Sequence, residues 1–290
     1  MSTIQNYLQE LLVWGEEVQR KIDSLEISAE EKSSLKTRLK SWIEDVKVNT
    51  SRELAPDDEI INVLQGEAQR IVLSMKHNNN SNTEQIGYGK HKLPQLPYNY
   101  NALEPYISEA IMRLHHDVHH QAYVDGLNKA ENELYVKQPD KNLVKHWLRE
   151  QAFHGSGHNL HTIFWFNMTP NSDKKPSGEL LKQIEKDFGT WKKFKNLFSN
   201  TASSVEGDGW AVLYWNPRNG RLGVQSFEKH QLFQIADIIP LLVLDMWEHA
   251  YYLQYKTDKE TYIENWWNVV NWQNVNERFA KAKKLKWALY

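Results

Sequence analysis

The feature that most constrains this chain is an acidic residue at the end of an apolar run, with a histidine four positions further on. Residues 238–244 are Ile-Ile-Pro-Leu-Leu-Val-Leu, which predicts a buried strand. Asp245 ends this run, and His249 follows it. A carboxylate oxygen and an imidazole nitrogen are a ligand pair suited to a divalent or trivalent first-row transition metal. The neighbouring aromatic residues are Trp247, Tyr251 and Tyr252. Because a dry aromatic shell controls the potential and solvent access of a metal, the stretch favours a metal site over a solvated, idle pair.

A first histidine cluster lies upstream and comprises His115, His116, His119 and His120, with Tyr123 after it. Positions 115, 119 and 123 share one face of an α-helix. The apolar neighbours Ile111, Leu114, Val118 and Ala122 predict that part of this face is buried. A buried imidazole needs a metal or a hydrogen-bond partner. We therefore interpret the cluster as one metal ligand and two groups that support it.

A second histidine cluster comprises His154, His158 and His161, which again share a helical face. The apolar run at residues 163–166 predicts that His161 lies nearest the core. From this segment alone, histidines that only pack or form hydrogen bonds are the alternative.

Composition excludes several classes of site. The chain has 290 residues, enough for one large or two ordinary domains and for a core without cross-links. It has no cysteine, which excludes disulfides, thiolate metal sites and cysteine nucleophiles. We expect a cytoplasmic protein, since this composition fits a reducing compartment and no secretory signal or membrane span is visible. A net charge of −2 gives no reason to expect nucleic acid as a partner.

Residues 1–76 predict a helical extension of three amphipathic helices in a small antiparallel bundle. The expected apolar stripes are Ile4, Leu8, Leu11, Leu12, Val18 and Ile22; then Leu35, Leu39, Trp42, Ile43 and Val46; then Ile60, Val63, Leu64, Ile71 and Met75. A capping box at residues 28–31 predicts the start of the second helix, and Pro56 with Asp57 that of the third. The extension carries no chemical constellation, so packing or oligomerisation is expected, with a regulatory or partner-binding role as the alternative. Residues 77–90 are polar and low in complexity, which predicts a linker.

The rest of the chain predicts a mostly α structure with an α+β carboxyl-terminal part. Ser108 is the expected cap of the helix that carries the first histidine cluster. Residues 177–198 and 262–287 predict helices, whereas residues 209–215 and 221–227 predict a hairpin around the turn at 216–220. Together with the strand that ends at Asp245, the hairpin makes a small antiparallel sheet.

His115, His161, Asp245 and His249, taken together, identify a family. The chain from about Lys92 to Lys284 resembles the iron/manganese superoxide dismutases. The matching segments are residues 96–98, 103–105, 115–123, 161–165, 209–210, 245–252 and 267–272. The most specific is the D-x-W-E-H-x-x-Y element at 245–252. The resemblance implies a helical hairpin domain over residues 91–170, then an α+β domain over residues 171–290 with a three-stranded antiparallel sheet.

The resemblance also implies a cofactor and a reaction. One iron or manganese ion per subunit is expected on His115, His161, Asp245 and His249, with water or hydroxide as the fifth ligand. By the same resemblance, the metal is expected to alternate between the +3 and +2 states, which would make the chain an antioxidant oxidoreductase that converts two superoxide ions to O₂ and H₂O₂.

Further roles follow from the resemblance only. It implies that Tyr123 and His119 stand at the substrate channel. The expected aromatic cage is Trp165, Trp210, Trp247 and Phe153. In a homodimer or larger assembly, Glu248 would reach His249 of the partner subunit, and Tyr252 would reach the partner's His119.

The sequence departs from the family pattern at several positions. A glutamine that contacts the metal-bound solvent is replaced by Gly157 at one place and by His230 at the other, so the usual rule for naming the metal does not apply. His230 either donates to that solvent or is a turn histidine with no contact to the site. Lys259 and Glu260 stand where an arginine and a proline are common. The remaining departures are Tyr106, Asp208 and Leu160.

Three other readings stay open at this stage. A di-iron carboxylate bundle would need paired Glu-x-x-His motifs, which are not evident. A hydrolytic zinc enzyme would leave the aromatic cage unexplained. A non-catalytic metal-binding dimer with the same fold would be expected to have lost a ligand or a channel residue, and all of these are present.

Overall fold

The computed structural model describes residues 3–25, 29–51, 56, 58–79, 85–285 and 287–289. The chain forms two compact units, residues 1–85 and residues 86–290. Ser28 of the predicted capping box, Asp57 of the predicted third helix start, and residues 80–84 of the predicted linker lie outside the described residues.

The described residues of the first unit form three helices: α1 (Thr3–Ser24), α2 (Ala29–Thr50) and α3 (Asp58–Asn79). Their apolar stripes meet in a core of their own, which includes Leu8, Val18, Ile22, Leu35, Leu39, Trp42, Val46, Leu64, Ile71 and Met75. The indole of Trp42 donates to the carbonyl of Leu64 at 2.8 Å, so even its polar edge is satisfied inside this core.

Two predictions in this unit need correction. Val63 is 66% exposed, so its place in the buried stripe was wrong. The stripe of α3 instead runs through Leu64, Ala68 and Ile71, at the i, i+4, i+7 spacing of one helical face. In addition, α3 continues to Asn79, three residues into the predicted linker.

The second unit begins with a helical hairpin. Its elements are α4 (Glu109–Arg113), a π-helical segment (Leu114–His120), α5 (Gln121–Glu131), a second π-helical turn (Asn132–Val136) and α6 (Val144–Phe166). Ser108 caps α4, as predicted, and its hydroxyl accepts from the backbone N–H of Ile111 at 3.4 Å. Helices α5 and α6 pack along each other.

The first π-helical segment corrects the predicted helical face. Of the apolar neighbours on the expected buried face, Ile111 is buried, but Leu114 and Val118 are 51% and 55% exposed and Ala122 is exposed as well. His115, His116 and His120 are buried. The prediction assumed 3.6 residues per turn. A π-helix bonds residue i to residue i+5 and so shifts which side chains face the core.

The rest of the second unit surrounds a three-stranded sheet. Its elements are α7 (Gly178–Phe188), α8 (Trp191–Ser203), β1 (Gly209–Asn216), β2 (Arg221–Glu228), β3 (Ile239–Asp245), α9 (Glu248–Tyr255), α10 (Lys259–Trp266) and α11 (Trp272–Ala282). The strand order is β2-β1-β3 with antiparallel pairing, which confirms the predicted fold class. Helix α6 packs against β3, and helix α8 packs against β1.

Two predicted helices are shorter than expected. The segment 177–198 is interrupted at Gly189, whose φ of 87° ends α7 in a conformation that suits glycine. The predicted tail helix is two helices, α10 and α11, and Trp287 lies beyond both. Among the described helices, none has the length and apolar character needed to cross a bilayer.

A buried asparagine connects the end of α6 to β3. The side-chain oxygen of Asn167 accepts from the N–H of Val243 at 3.0 Å. Its amide donates to the carbonyl of Leu241 at 3.2 Å and to the side chain of Asn274 at 3.0 Å. Since His161 is on α6 and Asp245 ends β3, these bonds hold the two elements that carry the site in register.

Replacing Asn167 by alanine should therefore lower the free energy of unfolding by about 2–3 kcal/mol, because buried backbone groups of β3 lose their partners. Denaturant titration monitored by circular dichroism measures this change. Gln273→Ala is the matched control at an exposed amide, with an expected change within about 0.5 kcal/mol. Equal effects of the two substitutions would contradict the role given to Asn167.

Candidate metal centre

Four side chains from four different elements converge at one point. His115 comes from the first π-helical segment, His161 from α6, Asp245 from the end of β3 and His249 from α9. Their ligand atoms all lie within 4.8 Å of one another. The Oδ2 atom of Asp245 lies 3.0 Å, 3.1 Å and 3.4 Å from the Nε2 atoms of His115, His249 and His161.

The orientation of Asp245 follows from the way the strand ends. Asp245 is paired with Trp210 of β1. Its Oδ1 accepts from the backbone N–H of Trp247 at 2.9 Å, which leaves Oδ2 for the histidines. The hydroxyl of Tyr262 donates to the backbone carbonyl of Asp245 at 3.0 Å. The carboxylate is therefore held at Oδ1 and the backbone at its carbonyl, so that Oδ2 faces the three histidines.

The charges of the site suit a cation. Burial lowers the pKa of His115 to about 4, and burial also holds the pKa of His161 well below its ordinary value. Burial alone would raise the pKa of Asp245, but the charge of His249 and the hydrogen bonds from His115 and His249 outweigh it and hold the pKa below its ordinary value. At neutral pH His115 and His161 are neutral and Asp245 is ionised. These are the protonation states that metal binding needs.

An unpartnered atom shows that the four residues fit a metal ion. The Nδ1 atom of His161 lies 2.7 Å from the carbonyl of Gly157, and since a carbonyl only accepts, Nδ1 carries the proton. The Nε2 atom of His161 is then an acceptor, and among the described residues this buried atom has no hydrogen-bond partner. Such orphaned groups are rare unless a ligand satisfies them. A set of three imidazole nitrogens and one carboxylate oxygen is the donor chemistry expected for iron or manganese.

Aromatic rings line the walls of this centre. The ring centroid of Tyr123 lies 5.0 Å from that of His161, and Trp210 lies at the same distance. The ring of Trp165 lies 4.8 Å from His115, and Trp247 stacks on His249 at 5.4 Å. Phe153 packs on Tyr123 at 5.8 Å and closes the wall. These rings exclude water from the ligands.

His230 lies in the same wall rather than idle in a turn. Its ring stacks on Trp247 at 4.5 Å and lies 4.6 Å from Tyr123. Its Nδ1 accepts from the indole of Trp210 at 3.0 Å. Because an indole N–H can only donate, the proton of neutral His230 must be on Nε2. In the described part of the chain, this buried Nε2 has no partner.

Gly157, the other departure from the family pattern, lies against Tyr123. A Cβ atom added at Gly157 would lie 2.8 Å from the Tyr123 ring, closer than Cβ contacts ordinarily come. Glycine therefore gives the tyrosine ring the room to stand where it does.

Three residues with implied roles lie farther out. His119 is half-buried, and its ring lies 4.4 Å from that of His249. Glu248 and Tyr252 are exposed on α9. The Lys259 ammonium donates to the carbonyl of Val205 at 3.0 Å, and Glu260 accepts from the hydroxyl of Ser203.

Residue-level reasoning missed some supporting groups. His158 was grouped with His161, but it contacts His120 at 2.8 Å between ring nitrogens, outside the metal cluster. The alternative of hydrogen-bonding histidines is therefore correct for His158. Tyr262 and Asn167 carry no pattern in the sequence that could reveal their bonds to the strand ending at Asp245.

Comparisons with known proteins agree with this geometry. A model of the iron/manganese superoxide dismutases, alpha-hairpin domain, matches residues 90–169, and one of the C-terminal domain matches residues 176–278. A protein of Bacillus subtilis named a probable superoxide dismutase of the Fe type is 57% identical over 207 residues, which are 71% of this chain and 74% of the relative.

Two further relatives match over nearly their whole length. A superoxide dismutase of the Mn/Fe type from Aeropyrum pernix is 48% identical over 201 residues, 68% of this chain and 94% of the relative. One of the Fe type from Pyrobaculum aerophilum is 50% identical over 197 residues, 67% of this chain and 93% of the relative.

Proposed function

This chain belongs to the iron/manganese superoxide dismutase family, and we propose that its reaction takes place at the centre formed by His115, His161, Asp245 and His249. The function is that of a superoxide dismutase, in which two superoxide ions and two protons give O₂ and H₂O₂. The observation that carries the proposal is the convergence of the four ligand atoms within 4.8 Å. A bound iron or manganese ion supplies the one-electron chemistry by passing between its +3 and +2 states.

Residues of the chain balance the charge of the ion and exclude water from it. The carboxylate of Asp245 supplies a negative charge that balances part of the charge of the ion. The cage of Trp165, Trp210 and Trp247 keeps the surroundings dry, so that small changes in hydrogen bonding have a large effect on the potential.

Two groups in the wall hold protons beside the ligands. His230 holds one on Nε2, as the donor from Trp210 requires. Burial raises the pKa of Tyr123, which keeps its phenol protonated at neutral pH. Since each turnover consumes two protons, we assign these two groups to holding the proton supply of the site.

The assembly we propose is a homodimer with an isologous contact. The support is a group of exposed residues on adjoining elements, the π-helical segment and α9, which are in contact. They are Leu114, Val118, Glu248, Tyr252 and Leu253. Light scattering of the full chain, with Glu248→Ala as the variant, tests this assembly. A monomeric wild type would overturn the proposed dimer. A Glu248→Ala variant that remains a dimer and keeps its activity would overturn the role of Glu248.

We also propose an antioxidant role in the cytoplasm. The support is the absence of cysteine from the chain, which fits a reducing compartment. Cell fractionation tests the location, and recovery of the chain in another compartment would contradict it.

Reconstitution tests the function itself. The full chain is loaded separately with iron and with manganese, the metal content is quantified, and superoxide removal is measured by stopped-flow spectroscopy. Activity with one metal or with both supports the proposal and names the cofactor. No activity with either metal at full occupancy would leave only a non-catalytic metal-binding protein.

Substitution of His230 tests the proton that we place on Nε2. His230→Leu should lower kcat/KM by about 10- to 100-fold at equal metal content, because it removes the donor beside the site. His230→Gln should retain most of the activity, since an amide can donate in its place. The control is His146→Leu at an exposed histidine of α6. Unchanged kinetics in His230→Leu would contradict the assignment.

A further inference from the structure

A hydrogen-bonded chain of three buried side chains stands behind the ligands. The indole Nε1 of Trp165 donates to Nδ1 of His120 at 2.9 Å. The Nε2 atom of His120 lies 2.8 Å from Nδ1 of His158. All three side chains are buried, and His120 is wholly inaccessible.

The donors and acceptors of these two hydrogen bonds can be arranged in only one way. Because an indole N–H only donates, Nδ1 of His120 must accept, and the proton of a neutral His120 must be on Nε2. That proton can be donated only if Nδ1 of His158 carries none. The acceptor on His158 and the donor on Trp165 therefore select the same tautomer of His120.

Trp165 and His120 both touch metal ligands. The Trp165 ring meets His115 edge-on, at 4.8 Å between centroids and an angle of 74°. The His120 ring stacks on His161 at 5.3 Å and 27°. The backbone carbonyl of Trp165 also accepts from the hydroxyl of Tyr98 at 3.0 Å. The indole is held by its backbone at one point and by His120 at the other.

His158, at the outer end of this hydrogen-bonded series, is held in place as well. The ring of His158 meets that of His91 edge-on at 5.5 Å. His91 in turn lies 3.1 Å from both carboxylate oxygens of Glu131, and one of these oxygens also accepts from the N–H of Gly89 at 2.8 Å. His158 is thus packed between a fixed segment and His120, which limits its own orientations.

We propose that His158 is a positioning residue of the metal centre. By accepting from Nε2 of His120 it fixes the tautomer that binds the Trp165 indole, and it so sets the angle of that indole against His115. Its role at the metal rests on the proposed function. Its effect on the indole is a property of the chain alone and can be measured without metal.

The test compares three substitutions of His158. In His158→Asn the amide oxygen lies near the place of Nδ1, so the acceptor is kept. His158→Gln carries its acceptor one bond too far out, and His158→Leu has none. The full metal-free chain is labelled with ¹⁵N-tryptophan, and the indole signal of Trp165 is identified by its absence in Trp165→Phe.

The proposal predicts that the Trp165 indole proton moves to the position of a weaker hydrogen bond in His158→Leu and His158→Gln, and stays near its wild-type position in His158→Asn. After loading with manganese, the first two variants should lose about tenfold in kcat/KM at equal metal content. His158→Asn should restore most of this loss.

Two results would overturn the proposal. One is an indole signal that does not move in His158→Gln or His158→Leu. The other is a His158→Asn variant as impaired as His158→Gln, since that would show a packing role only. If His158→Leu does not fold, the comparison of His158→Asn with His158→Gln still tests the proposal. A wild type without activity would refute the proposed function but would leave the indole result valid.

Discussion

Replacing Asp245 by asparagine should abolish stoichiometric metal binding and lower kcat/KM by at least about 100-fold. Loss of an outer partner of a ligand already costs about 10- to 100-fold in metal affinity or activity, and Asp245 faces the ion itself. Its Oδ2 lies within 3.4 Å of the Nε2 atoms of the three histidines, and it is the one carboxylate of the cluster found among the described residues. The amide also lacks the charge that would balance the cation.

The measurements are metal content by mass spectrometry and superoxide removal at matched protein concentration. Circular dichroism shows whether the variant is folded. Asp237→Asn is the control, because Asp237 pairs with Arg218 on the surface, away from the centre. Full metal content in the Asp245→Asn variant would show that the four residues are not the binding site.

The metal-free chain should lose stability steeply as the pH falls from about 6.5 toward 4. Burial lowers the pKa of His115 and of His158 to about 4 and that of His230 to about 3, from an ordinary 6.5. In this window the unfolded chain takes up protons that the folded chain excludes. Each such histidine therefore removes about 1.4 kcal/mol of stability per pH unit, and the loss begins below the unfolded pKa.

Asp245 acts in a separate window. Its pKa is held below its ordinary 3.8, so its contribution is lost only at still lower pH. Urea unfolding of the metal-free chain at several pH values measures the slope. His158→Asn should reduce the slope by about 1.4 kcal/mol per pH unit, since the lowered pKa of His158 is one source of the slope. A stability that is flat between pH 6.5 and 5 would contradict the buried, neutral histidines.

The strongest sequence patterns predicted the right structure because local chemistry and burial agreed. The apolar run before Asp245 became β3, an edge strand of the sheet whose last five residues are buried, and the turn at 216–220 joined two paired strands. The apolar run after His161 placed that histidine in the core. In β1 and β3 the burial is nearly continuous, so a continuous apolar run was enough to predict each strand.

The features that the sequence did not predict depend on bonds between residues distant in sequence. The selection of a His120 tautomer depends on a donor 45 positions away, and Asn167 bonds a strand 76 positions away. No local period reports such pairs. Leu114 and Val118 were misplaced because the predicted helix was assumed to be regular throughout. The roles of Glu248 and Tyr252 depend on a second chain, so they stay predictions.

The π-helical segment also has a consequence for the phase of the helix that carries the site. A wider turn takes up an extra residue without ending the helix. The side chains beyond it are therefore rotated about the helix axis by about 100° relative to an unbroken α-helix. Tyr123 lies beyond this point and His115 lies within it. The angle between the tyrosine of the wall and the histidine ligand is therefore set by the number of residues between them as much as by their identity. Deletion of the exposed residue Val118 would therefore rotate Tyr123 relative to His115, although no side chain of the centre had been changed.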